Sequence, residues 1–284
     1  MTWNVVAKKD FRDASRSKAL WALTALFVLF MGGMAYVYTL VQGSSAPSGT
    51  EELESLGLIF FLISPVTLLI PLTALVMAHK SIAGEIESGS AKFLLSLPHT
   101  RRDALLGKVV GRGAVLGVSV LVGLAVAAVV TLALYDSFDA TAYLAFAALT
   151  LLLTVMYTAI GVGLSATTKD GGRATILVAG FFIVFEVAWG LIPTGLYYLL
   201  NGTFGPGANA TPPEWYLLLN RVPPSSAFSS AVFQFLPGNA GTLSAYFPQG
   251  APVYLSEWGA LATMLLWLVV VPLVGYRVFD RADL

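Results

Sequence analysis

Six stretches of the chain carry almost nothing but apolar and small residues: Ala19 to Val41, Leu56 to Met77, Gly113 to Leu134, Tyr143 to Leu164, Ala174 to Leu200 and Trp258 to Tyr276. A helix rising about 1.5 Å per residue needs about 20 residues to cross about 30 Å of hydrocarbon, and it satisfies its own backbone polar groups on the way. The pattern therefore predicts six transmembrane helices, of which only the fifth holds a charge at depth, Glu186. The first stretch is too long for a secretory signal and has no clear small-residue cleavage site after it, so it is expected to stay as a helix. No segment between the stretches is long and balanced enough for a core of its own. The chain, 1–284, reads as one all-α integral membrane domain.

The polar segments between spans have patterns of their own. In the arm, residues 1–18, Trp3, Ala7, Phe11 and Ala14 share one helical face and Lys9, Arg12 and Arg16 the other, with Asp10 intruding on the apolar edge. This predicts a helix lying in the membrane interface. The connection 78–112 is long for a join between neighbouring helices. In it Gly84 and Gly89 flank Glu85 and Glu87, an apolar segment runs from Ala91 to Leu97, and Pro98 stops it. Thr100 is placed to cap a further helix with Asp103 at its third position, running into the third span. Phe93, Leu94, Leu95 and Leu97 would then form an exposed apolar docking knob. The segment 201–257 holds Gly- and Pro-rich connectors around two apolar pieces, Trp215 to Leu219 and Ser225 to Leu236, expected to rest at the outer leaflet.

Composition sharpens this picture. The chain is 57% hydrophobic and 11% charged, and sixteen basic residues balance sixteen acidic ones, which gives nucleic acid no electrostatic hold. Fifteen of the sixteen basic residues fall in the arm, in 78–112, and after the fourth and sixth spans; only Arg221 lies on the other side. The positive-inside rule then puts both termini in the cytoplasm and 201–257 outside, where the sequons at Asn201 and Asn209 also fall. Cysteine is absent, and His79 and His99 have no thiol neighbours, so neither a metal site nor another cofactor is expected. Gly113 with Gly117 and Ala159 with Gly163 are four apart, a spacing for close helix packing, while Pro65, Pro71 and Pro193 interrupt the second and fifth spans. Glu186 is costly in hydrocarbon and is a functional candidate, or else a protonated carboxyl hydrogen-bonded between helices. It should face the bundle interior or a dimer seam.

The run Glu87 to Ser90, the apolar patch Leu94 to Pro98, Arg101 and Arg102, and then Gly107 with Lys108 resembles the cytoplasmic loop of ABC-transporter permeases of the type-2 exporter superfamily. Six spans, an amphipathic arm and the tail F-D-R-A-D-L at Phe279 to Leu284 fit the same family. Within it the single-domain permeases that include those of nitrous-oxide-reductase maturation are the most similar. The resemblance implies a cell-membrane permease that is not itself an enzyme, pairs with a second copy or a related permease, and couples to a separate cytoplasmic ATPase through Glu85, Glu87, Ser88, Gly89, Phe93, Leu94, Leu95 and Leu97. It also implies short outer helices that partly re-enter the membrane. The residues agree on the division of labour, since the one Gly-Lys pair, Gly107 and Lys108, lacks the glycines and the following Ser or Thr of a phosphate-binding loop. The alternative is an ion-coupled secondary transporter with Glu186 as proton carrier, though Pro193 lies too near the end of its span to mirror Pro65 as a repeat.

Overall fold

The computed structural model describes residues 3–15, 18–42, 51–90, 100–134, 138–207, 210–236 and 252–282, all helical or in connectors, with no strand among them. The arm forms α1 (Trp3–Ser15). The first two spans are α2 (Lys18–Gln42) and α3 (Glu51–Ala78), followed by a short α4 (Ala83–Glu87). The third and fourth are α5 (Arg101–Leu134) and α6 (Ala140–Ser165). The fifth divides into α7 (Gly171–Phe182), a π-helical segment (Ile183–Ala188) and α8 (Leu191–Asn201). Then come α9 (Glu214–Arg221), α10 (Pro224–Phe235) and the sixth span, α11 (Glu257–Asp280). Six of these helical stretches are long and apolar enough to cross a membrane, as the apolar pattern predicts.

Local chemistry sets the helix ends. Thr100 and Asp103 exchange hydrogen bonds at the start of α5, each side chain accepting from the other's backbone N–H at 3.1 Å, and from this cap α5 runs unbroken into the third span. Asp139 caps α6 by accepting from Thr141 and Ala142 N–H, and Asp170 caps α7 by accepting from Arg173 N–H at 2.7 Å.

The core is made by α3, α5 and α6, with Phe27 and Met31 of α2, Phe228 of α10 and Met264 of α11 buried against them. Small residues allow the tightest seam. A Cβ on Gly163 of α6 would stand 2.9 Å from Pro272 Cα of α11, and one on Gly275 would meet the Gly163 carbonyl oxygen, so the two backbones touch. Gly113 and Gly117 have only ordinary neighbours at 3.9 Å, and their spacing marks no comparable approach. The outer faces of α2, the fifth span and α11 leave Trp21, Leu29, Val187, Leu191, Leu199 and Leu266 exposed, surfaces suited to lipid or to another membrane helix.

The segment after α8 folds back into the bundle. Ala227, Phe228, Ala231 and Val232 of α10 are fully buried, and the indole N–H groups of Trp189 and Trp267 donate to the carbonyls of Leu219 and Val222, each at 2.8 Å. Arg221, the one basic residue on its side, is 6% exposed and donates to the carbonyls of Leu255 (2.5 Å), Tyr254 (3.0 Å) and Ser256 (3.0 Å). It staples the approach to α11, and burial pulls its pKa down from the usual arginine value.

Candidate functional site

Two polar assemblies stand out, one at the basic end of the bundle and one inside it. At the basic end α1 turns to the bundle a face rotated from the Trp3, Ala7 and Phe11 face that the arm's periodicity predicts. It buries Val6 and Ala7 against α5, with Phe11 at the edge, because Gly107 and Gly111 open a groove there. A Cβ on Gly107 would lie 2.5 Å from Val6 Cβ, and one on Gly111 2.8 Å from Asp10 Cβ. That rotation explains Asp10. Its carboxylate reaches Lys108 Nζ at 3.7 Å and Arg112 Nε at 3.5 Å.

Lys108 is 3% exposed, and its ammonium donates to Glu85 Oε1 at 2.6 Å. Arg112 also donates to the Met77 carbonyl at the end of α3. The neighbouring Glu87 accepts the Gly171 N–H at 3.1 Å, and the buried Ser165 hydroxyl accepts from Ile82 and Ala83 N–H at the start of α4. Glu85 and Glu87, which the family resemblance assigns to coupling, thus both have partners within the chain, because α4 folds back between α5 and α7. Ser88 donates to the Glu85 carbonyl and Gly89, at φ +75°, ends the helix in a left-handed turn only glycine adopts cheaply. Phe93, Leu94, Leu95 and Leu97 lie outside the described residues. What the structure adds is that one buried lysine joins the arm, the loop helix and the third span.

Inside the bundle, Glu186 sits in the π-helical segment, partly buried. A π-turn carries one residue more than the matching α-turn and frequently marks a functional position in a helix. The Tyr157 hydroxyl of α6 donates to Glu186 and lies 2.8 Å from Ser225 Oγ of α10. Ser225 donates in turn to the Thr67 carbonyl at 3.4 Å. That carbonyl is available because Pro71, four residues on, has no N–H to give it. The carboxylate thus lines a cleft of about 620 Å³ with Ser64 and Thr67 of α3 and the four serines Ser225, Ser226, Ser229 and Ser230 of α10. Serines at spacings of one and four fall on a single helix face, the one sequence signal that could have exposed this surface. Nothing in the local sequence singles out Tyr157. The arrangement can hold a hydrogen-bonding or charged guest in the hydrocarbon zone, where each unpaired polar group is costly. Among the described residues no three metal-ligating side chains cluster.

Comparison with known proteins supplies the family. Residues 4–284 match the family described as ABC-2 family transporter protein. Two relatives carry the name probable ABC transporter permease protein NosY. That of Stutzerimonas stutzeri is 30% identical over 287 residues, 98% of either chain, and that of Pseudomonas aeruginosa is 29% identical over 294 residues, 99% of this chain and 98% of its own. With six membrane-crossing helices and a match that runs almost its whole length, this chain belongs to the ABC-2 family of transporter proteins.

Proposed function

We propose that the chain is the permease subunit of an ATP-driven exporter, paired with a second permease copy and powered by ATP hydrolysed on a separate cytoplasmic chain. The observation that supports this most directly is the Glu85, Lys108 and Asp10 linkage, which ties the loop helix to the head of the third span by a buried charge. A push on the loop is passed to α5 and to the arm together. The loop's apolar residues Phe93 and Leu95 seat in a groove of the ATPase, where a buried hot-spot side chain is worth more than about 1 kcal/mol. Phe93→Asp with Leu95→Asp is expected to weaken copurification of the ATPase roughly thirtyfold while membrane insertion is unchanged, since neither residue lies in a span. Undiminished copurification and substrate-stimulated hydrolysis in that variant would rule the loop out as the coupling element.

In this reading both termini are cytoplasmic, as the basic residues sort. The chain has no cysteine to remove, so single probes report topology directly. Gly207→Cys should react with an impermeant maleimide in intact cells, and Thr100→Cys only after permeabilisation; the opposite pattern inverts the assignment.

A second reading, an ion-coupled transporter with Glu186 as proton carrier, draws support from the contact of that carboxyl with Tyr157 and its place on an open cleft. The linkage at the basic end favours the first, because a carrier driven by protons has no use for a loop braced in this way.

A further inference from the structure

We propose that a pocket at the basic end of the bundle, between the last turn of α11 and the start of α7, binds a phosphate group, carried by an anionic lipid or free in solution. The pocket has a volume of about 600 Å³, and Lys169, Arg173, Arg277 and Arg281 line it. Asp170 is the sole acidic residue in the lining, and its Oδ1 is taken by the Arg173 N–H as a helix cap. Glu87, beyond the rim, is likewise engaged by the Gly171 N–H.

Two groups of basic residues at this end stand in contrast. Arg101, Lys108 and Arg112 are consumed by partners within the chain. Arg173, Arg277 and Arg281 make no ion pair among the described residues, although they come from two different elements and converge on one cavity. A topology signal needs only that cations lie on one side; it does not require them to meet around a cavity.

The walls are also fixed in place. Arg101 donates to the Phe279 and Asp280 carbonyls, each at 2.6 Å, and lies 5.6 Å from the Phe279 ring centre, which anchors the end of α11 that carries Arg277 and Arg281. Glu87 anchors the start of α7 that carries Arg173. Arg277 follows directly on the sixth apolar run and Arg173 directly precedes the fifth, so both stand at the polar boundary of the spans, the depth of lipid headgroups. Guanidinium groups suit phosphate oxygens because their donors are paired in one plane. Buried Phe279 and neighbouring Val278 give the pocket an apolar side against which a glycerol or acyl segment can lie.

The test uses the full-length protein in detergent, titrated with phosphatidylglycerol or phosphatidylcholine and read by native mass spectrometry, with inorganic phosphate as a parallel arm read by melting temperature. Phosphatidylglycerol should bind in preference to phosphatidylcholine. Arg173→Gln, Arg277→Gln and Arg281→Gln together should weaken that binding roughly tenfold or more, from the contribution of each basic group near an anionic surface. Lys8→Gln, Lys9→Gln and Arg102→Gln remove the same charge from exposed positions at the same end and should leave it within about threefold. If the triple variant is poorly folded, Arg173→Gln and Arg277→Gln singly should each weaken binding severalfold. A rise in melting temperature with inorganic phosphate that the pocket variant lacks, without lipid preference, assigns the site to free phosphate. Equal losses in the two triple variants, or no response to either ligand, overturns the proposal. So does loss of the ATPase from the pocket variant with lipid binding intact, which would make the pocket a protein contact. Only that last outcome depends on the coupling reading above; the lipid and phosphate arms do not.

Discussion

Lys108→Met is expected to uncouple the protein while leaving its six spans in place. The substitution keeps the length of the side chain and removes the charge, so Glu85 loses its cation and Asp10 keeps only Arg112. Breaking a fully buried pair by removing one partner costs about 3–5 kcal/mol, and because these carboxylates are partly exposed about 2 kcal/mol is the better figure. Backbone amide exchange in residues 3–15 should rise, and substrate stimulation of the proposed ATPase partner should fall about tenfold, since that loss equals about 1.4 kcal/mol of coupling. Adding Glu85→Gln to Lys108→Met removes the uncompensated carboxylate and should recover part of the stability but not the stimulation. Unchanged amide exchange in the arm together with normal stimulation would show that the lysine only fills space.

The second large effect is expected at Glu186. A glutamine there keeps an oxygen that accepts from Tyr157 and a shape that fits the cleft, so folding and expression should stay close to those of the unaltered chain. If the carboxyl's charge or proton takes part in moving substrate, transport falls tenfold or more. Tyr157→Phe removes the hydroxyl contact without touching the carboxyl and should lower transport severalfold. Normal transport by Glu186→Gln would leave the residue as a hydrogen-bonded link between α6 and the fifth span, and would remove the ion-coupled reading with it.

Much of the scaffold was legible from runs of apolar residues, because a span needs only length and the absence of charge. The capping of α5 by Thr100 and Asp103 was legible for a similar reason: both partners lie within one helical turn. What escaped depends on partners far apart in the chain. The intrusion of Asp10 on the arm's apolar edge looked like a flaw in an interfacial helix, and it is where the arm meets Lys108, about a hundred residues away. Glu85 looked available to another protein for the same reason. Tyr157 is one aromatic among many in an apolar run, and only the fold sets it between Glu186 and Ser225. Arg221, the single exception in the charge asymmetry, turned out to be internal structure.

The π-helical segment divides the fifth span into two rods with separate moorings. The lower rod, α7, has twelve residues and is therefore about 18 Å long at about 1.5 Å per residue. One end begins at Gly171, held by Glu87 of the loop helix, and the other meets the turn that carries Glu186. The turn that leads into the upper rod is tied separately, through Trp189 and the Leu219 carbonyl. Because a π-turn is wider and less regularly bonded than an α-turn, it can take up a twist that a continuous helix would pass on undiminished. A tilt of α4 would therefore be carried along α7 and taken up at the turn that holds Glu186 against the Tyr157 hydroxyl, before it reaches the upper rod.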